Sequence, residues 1–168
     1  MKSKLSTTDA FHPTVAIIGI GNSYRGDDSV GLVVANKLTH LQSEHIRVEL
    51  LDRDTSPLID IWRNLDTVIL IDATVAIEKP GRIRRLDALS FSFDDDFLSF
   101  STHSLGLMQA IELSKVLEIL PSKLIIYGIE GENFGHTTEL SPAVISIVED
   151  VVATITAEVD SLLQKQEI

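Results

Sequence analysis

Val15-Ala-Ile-Ile-Gly-Ile20 is a nearly continuous apolar run that closes on a glycine-rich segment. A strand with one face in water alternates apolar and polar residues, so this unbroken run predicts a strand covered on both faces. A polar loop follows, and from Asp28 the apolar residues Val30, Val33, Val34 and Leu38 recur at helical spacing. The alternation continues along the chain. Residues 47–51 read as a second strand, and residues 56–64 as a short helix with Leu58, Ile61 and Trp62 on one side. Thr67-Val-Ile-Leu-Ile71 reads as another buried strand, with Asp72 at its C-terminal end. Lys79-Pro80-Gly81-Arg82 has the proline and glycine preferred at the centre of a type II turn, which predicts a hairpin between 75–77 and 83–86. A helix over 104–120 should stop before Pro121, and 123–127 reads as a fourth buried strand. The last helix should open with Ser141 as N-cap and Pro142 in its first turn, and bury Ile145, Val148, Val152, Ile155 and Val159.

Strands alternating with helices predict the α/β class: a three-layer α/β/α sandwich on a mostly parallel, twisted sheet, with right-handed crossovers and one antiparallel edge strand. No repeat or linker divides the chain, so a single domain over 14–168 is expected behind a loose tail at 1–13. No structure is assigned to 87–100, where Phe91, Phe93, Phe97 and Phe100 mix with Asp94-Asp95-Asp96. That stretch reads as a solvated loop or a docking surface.

The 168 residues suit one core, and a hydrophobic content of 44% argues for a compact chain. A net charge of −11 argues against nucleic acid or an anionic membrane surface as partner, since both would repel it. The absence of cysteine excludes disulfides, thiolate metal sites and cysteine nucleophiles. No apolar run approaches the roughly 20 residues that span a bilayer, and 1–13 lack the apolar stretch of a signal peptide. The expectation is a cytoplasmic monomer that uses no membrane.

In such folds ligands gather outside the carboxyl ends of the strands, near the point where strand order reverses. Three polar segments map to that edge: 21–31, 72–74 and 101–104. Asp28 and Asp72 offer oxygen ligands there and His103 a nitrogen, a mixed set suited to a borderline divalent ion such as nickel or zinc. His103 lies at a helix start, where the dipole opposes imidazolium and favours the neutral, metal-binding ring. Three protein ligands would leave coordination positions for a substrate. Each residue alone has a blander reading. Asp27 or Asp28 is most often a helix cap, Asp72 a loop anchor, and His103 a first-turn histidine that satisfies the backbone. The other four histidines, His12, His40, His45 and His136, read as surface residues.

The glycine-rich loop is no nucleotide fingerprint. A G-x-G-x-x-G counted from Gly19 needs glycine at 24, where Tyr24 stands, and no Gly-Lys-Ser/Thr follows. Neither H-E-x-x-H nor a G-x-S-x-G elbow is present, so motifs of the ordinary protease classes do not point to a protease.

The segment Gly19-Ile-Gly-Asn-Ser-Tyr-Arg-Gly-Asp-Asp-Ser-Val-Gly31 nevertheless resembles the G-x-G-N-x-x-x-x-D-D/E-x-x-G signature of the nickel-iron hydrogenase maturation proteases. Leu70-Ile-Asp-Ala73, Ser101-Thr-His-Ser-Leu105 and Tyr127-Gly-Ile-Glu130 match the family's later segments, in order, from about residue 15 to 160. The resemblance implies an α/β/α endopeptidase that removes the C-terminal tail of a hydrogenase large-subunit precursor after nickel insertion. Carried over by position, Asp28, Asp72 and His103 would contact the nickel and form the catalytic site. The metal would arrive with the substrate as its recognition element, so no resident cofactor is implied. Nickel as Lewis acid and a carboxylate activating water both remain open. The sequence departs from the pattern at Asp28, where many members have glutamate, at Ser29, where a smaller residue is common, and at Gly131, where proline is frequent. Two alternatives use the same residues: a nickel-sensing chaperone that does not cut, and a same-fold protease acting on another protein.

Overall fold

The structure is a computed structural model that describes residues 14–90 and 103–164. The tail at 1–13, the phenylalanine-rich stretch at 91–100 and residues 101 and 102 of the third polar segment lie outside the described residues. Five strands form one sheet: β1 (Val15–Gly21), β2 (Ile46–Asp52), β3 (Thr67–Val75), β4 (Ile83–Asp87) and β5 (Lys123–Gly131), in the order β2-β1-β3-β5-β4. β4 runs antiparallel against β5, and every other pairing is parallel. The helices are α1 (Val30–Lys37), α2 (Leu58–Trp62), α3 (Ser104–Val116), α4 (Pro142–Ile145) and α5 (Val148–Gln164). Among the described residues no helix is long and apolar enough to cross a membrane.

Strand parity explains why the apolar runs are unbroken, because alternate side chains leave opposite faces of a strand. Val15, Ile17, Ile69, Ile71, Ile125 and Tyr127 pack with α1 and α5 on one face. Ala16, Ile18, Val68, Leu70, Leu124 and Ile126 pack with α2 and α3 on the other. Both faces are buried, so the runs are apolar throughout and the buried polar groups that do occur are held by hydrogen bonds. Trp62 is fully buried in the second layer, where its Nε1 donates to Ser114 Oγ at 2.9 Å and joins α2 to α3. In the first layer the Arg85 guanidinium and the Tyr127 hydroxyl both donate to Glu158, tying α5 to the β4–β5 edge.

Four expectations are corrected. β3 does not end at Ile71; it runs three residues past Asp72, which pairs with Gly128 of β5. The 83–86 segment does form the antiparallel edge strand, but its partner is β5 and not 75–77. Buried Glu130 takes the backbone N–H groups of Ile77, Glu78 and Lys79 on Oε2 at 3.0–3.2 Å, so that segment is not offered to a strand. The 79–82 turn itself is present, with Arg82 N–H donating to Lys79 O at 3.2 Å and Gly81 at φ +81°. α3 stops at Val116, short of 120, where Glu118 takes φ +55° and Ile119 N–H reaches back to Ser114 O. The last helix is two helices. α4 packs by Ala143 on the Gly81 turn, which leaves Ile145 57% exposed, and the buried face of α5 is Val148, Val151, Ile155 and Val159.

The sheet opens at its centre. Pairing of β1 with β3 ends at Gly19 and Ile71, after which β1 continues beside β2 alone and β3 beside β5. The first turn of α1 enters this split. A Cβ on Gly31 would lie 2.2 Å from Ile20 O and 2.3 Å from Ile71 O, and one on Gly19 would lie 2.2 Å from Gly31 O. Backbone here packs directly on backbone. Replacing Gly31 with alanine should therefore destabilise the protein by about 3 kcal/mol or more, the upper range for overpacking a rigid core. Urea denaturation of Gly31→Ala against the unmodified chain measures this.

Candidate active site at the carboxyl edge of the sheet

The loop leaving β1 is closed by its own backbone. Asn22 N–H donates to Asp28 O at 3.1 Å, Arg25 N–H to Asn22 O at 3.1 Å, and Asp28 N–H to Arg25 O at 3.1 Å. A 3-10 turn, Gly26–Ser29, then delivers Asp28 at the split between β1 and β3. Asp72 reaches the same place from β3. Its even position puts it on the face shared with Val68 and Leu70, which is the face covered by α3. His103 leads α3 as its N-cap residue, so the helix that covers this face begins above Asp72.

The three residues meet. His103 Nδ1 lies 3.0 Å from Asp72 Oδ1, and its Nε2 lies 3.7 Å from Asp28 Oδ2. Asp72 Oδ1 also accepts Ala73 N–H at 2.8 Å. Both carboxylates are buried, at 1–2% side-chain exposure, while the imidazole at 18% is the part that reaches the surface. Burial works against a charged imidazole. The hydrogen bond and charge of Asp72, with the charge of Asp28, outweigh it and the opposing charge of Arg25, so the His103 pKa is raised. This reverses the helix-dipole expectation, because a dipole end is a partial charge and each carboxylate a full one at closer range.

The imidazole thus sits between two carboxylates with a nitrogen toward each. Among the described residues no group of three histidine or carboxylate side chains is already spaced as a metal cage. Binding a cation here requires the ring to give up a carboxylate contact. Borderline divalent ions favour mixed oxygen and nitrogen donors; of the three side chains only the imidazole reaches the surface.

A sequence model of the hydrogenase maturation proteases matches residues 32–158. The chain belongs to the hydrogenase maturation protease family. A putative hydrogenase maturation protease of Methanocaldococcus jannaschii is 28% identical over 128 residues, covering 69% of this chain and 71% of that protein. The hydrogenase expression/formation protein HupD of Thiocapsa roseopersicina is 26% identical over 126 residues, covering 70% of this chain. The match spans only 54% of HupD. The hydrogenase maturating endopeptidase HybD of E. coli shares the fold, with a TM-score of 0.74 at 23% identity over 88% of this chain and 92% of that one. So does the maturation protease HybD of Thermococcus kodakarensis, with a TM-score of 0.68 at 22% identity over 85% and 97%.

In this member of the family the histidines outside the cluster behave as surface residues. His40 Nδ1 lies 2.8 Å from Lys37 O, His45 and His136 are exposed, and His12 falls outside the described residues. The cap reading of Asp27 is corrected. This residue caps no helix: its carboxylate is fully buried and accepts Glu132 and Asn133 N–H on Oδ2 at 2.9 and 3.0 Å, and Ser141 N–H on Oδ1 at 2.7 Å. Ser141 takes the N-cap position of α4 with Pro142 at its start, as expected; its side chain makes no cap bond, and its backbone N–H donates to Asp27 Oδ1. Of two adjacent acids, one binds the loop after β5 and the other faces the site. Nothing in the local sequence says which.

Burial alone pushes the Asp27 carboxyl up, but the three backbone donors outweigh it and its pKa is lowered. An amide in its place must point an NH2 at N–H donors. Asp27→Asn should cost about 2–3 kcal/mol near neutral pH, the range for unsatisfied buried donors. A depressed folded-state pKa contributes stability above the unfolded value of about 3.9 and loses it as pH falls through the folded pKa. The gap between the variant and the unmodified chain should therefore narrow below about pH 4, as denaturation at several pH values would show.

Proposed function

We propose that this chain removes the C-terminal extension of a nickel-iron hydrogenase large-subunit precursor after nickel insertion, and that nickel held by the precursor is what the site recognises. The observation that carries the reading is the contact of Asp28, Asp72 and His103 at the split of the sheet, in a chain of this family. Two buried carboxylates offset by a single imidazole form a site whose demand for positive charge one proton meets only in part. A divalent ion presented by a correctly loaded precursor meets it better, and a precursor without metal does not. Metal-dependent docking then holds the scissile bond at the site, which supplies the checkpoint. Hydrolysis follows with Asp28 or Asp72 accepting a proton from water, or with the precursor's nickel polarising the peptide carbonyl.

Purified protein mixed with precursor, with and without nickel, is followed by mass spectrometry. Loss of a C-terminal peptide only from the nickel-loaded form is the expected result. No cleavage of a verified loaded precursor, while it still binds, would mean that the chain inspects without cutting. His103→Ala should lower processing by about a hundredfold or more, the scale for removing a group that acts on the reacting atoms, while its far-UV circular dichroism stays native. Unimpaired processing by that variant would remove His103 from the site. A proton competes with the metal for His103. Because the imidazole pKa is raised above its ordinary value of about 6.5, the ring sheds its proton only above that pH, so binding of loaded precursor should be weak at pH 6.5 and tighten as pH rises beyond it, which a KM series across pH would reveal.

A further inference from the structure

Each chain segment that brings a residue to the site also carries an exposed large apolar side chain within five residues of it. Tyr24, four residues before Asp28, is 60% exposed. Val75 and Ile77, three and five residues past Asp72, are 56% and 59% exposed. Leu105, two residues after His103, is 69% exposed. Single exposed apolar residues are ordinary on a protein surface. These four differ in placement, because all stand at the carboxyl edge of the sheet on the segments that build the cluster.

They also differ in how their backbone is held. Tyr24 N–H donates to Asn22 Oδ1 at 3.0 Å, and the Arg53 guanidinium covers its ring at 5.5 Å. Val75 is in register with Gly131 at the end of β3. Ile77 is the first of three residues whose N–H groups converge on Glu130, a fully buried carboxylate that also accepts Arg84 Nε at 2.6 Å. Leu105 stands in the first turn of α3. Burying a carboxylate is costly unless it is fully bonded, so Glu130 is a large commitment to fixing a segment whose Ile77 side chain faces water. Ordered apolar side chains lose little entropy on contact, which suits them as docking anchors.

We propose that Tyr24, Val75, Ile77 and Leu105 form an apolar collar that docks an apolar surface of the precursor surrounding its metal. This rests on the function proposed above. The occupant follows from position: a protein substrate that reaches His103 must also cover the segments flanking it. The four side chains are themselves uncharged, although Arg53 lies over Tyr24 and Glu78 and Lys79 follow Ile77, and uncharged anchors within a charged rim fit an apolar face on the partner. The cluster then discriminates the loaded precursor, and the collar supplies affinity that does not depend on the metal.

The test uses the full chain and nickel-loaded precursor, with affinity read by surface plasmon resonance and cleavage by mass. Tyr24→Ser, Ile77→Ser and Leu105→Ser should each raise Kd and KM by about tenfold, the usual loss at an interface anchor, and the triple variant by more than a hundredfold. Turnover at saturation should stay within about twofold, because uniform binding is what is removed. Val116→Ser, 79% exposed at the far end of α3, is the control and should change nothing. Native circular dichroism is expected throughout, and the single variants decide the matter if the triple fails to fold. An unmodified chain that binds and cleaves, beside variants that do so equally well, would overturn the collar alone. So would an unmodified chain that runs as a dimer and a triple variant that runs as a monomer, since a second copy would then be the occupant. An unmodified chain that neither binds nor cleaves loaded precursor would bring down the proposed function first.

Discussion

Parallel pairing between β1 and β3 stops at Gly19 and Ile71, and the geometry of the site depends on that parting. Beyond it β1 belongs to the β2 side and β3 to the β5 side, so the strand ends leave a gap that no sheet hydrogen bond fills. Backbone of α1 fills it at Gly31, which is possible only without a side chain. The 3-10 turn just before α1 is thereby fixed against β3, and Asp28 comes to rest near Asp72 although the two residues belong to different strand connections. Strand order, a glycine contact and the position of a carboxylate are one constraint seen at three scales.

Four buried acids, Asp27, Asp28, Asp72 and Glu130, share this end of the molecule and are satisfied in different ways. Asp27 and Glu130 each collect three backbone N–H groups, which draw the 132–141 and 77–79 segments onto the sheet. Backbone donors have no alternative position, so these two carboxylates are structural. Asp28 and Asp72 instead face the His103 imidazole, which is a fifth exposed. The two pairs differ in their partners: backbone N–H groups for Asp27 and Glu130, a partly exposed side chain for Asp28 and Asp72.

The layers assign the site to both faces of the sheet. α1 and α5 cover one face and α2 and α3 the other, yet Asp28 arrives ahead of α1 while His103 arrives at the head of α3. A shift of either layer against the sheet would change the distances from His103 to its carboxylates. The Trp62–Ser114 bond fixes α2 to α3 within one layer, and the Arg85–Glu158 pair fixes α5 to the sheet edge; both hold the layers without touching the site.

Much of the fold was legible in the sequence, because burial on both faces of a strand leaves an apolar run that no other element of that length requires. The strands at 15–21 and 67–71 are visible in this way, the strand near 47–51 and the short helix at 58–62 by their apolar spacing, and Asp28 and His103 stand at element starts, whereas Asp72 proved to lie inside β3. What could not be read there was pairing and partner. Residues 83–87 carry no sign that they pair with β5, since an edge strand's partner is whichever edge remains open. The break between α4 and α5 falls at 146–147, where no proline or glycine announces it; the Ser146 hydroxyl bonds back to Ala143 O, which also faces the Gly81 turn. Asp27 and Asp28 are identical in composition and adjacent in sequence, and only the three donors converging from 132–141 separate anchor from site residue. Local pattern determines elements because it acts through solvent and neighbouring residues. The charge state of His103 and the roles of the acids depend on groups dozens of residues away, and those distances exist only once the chain has folded.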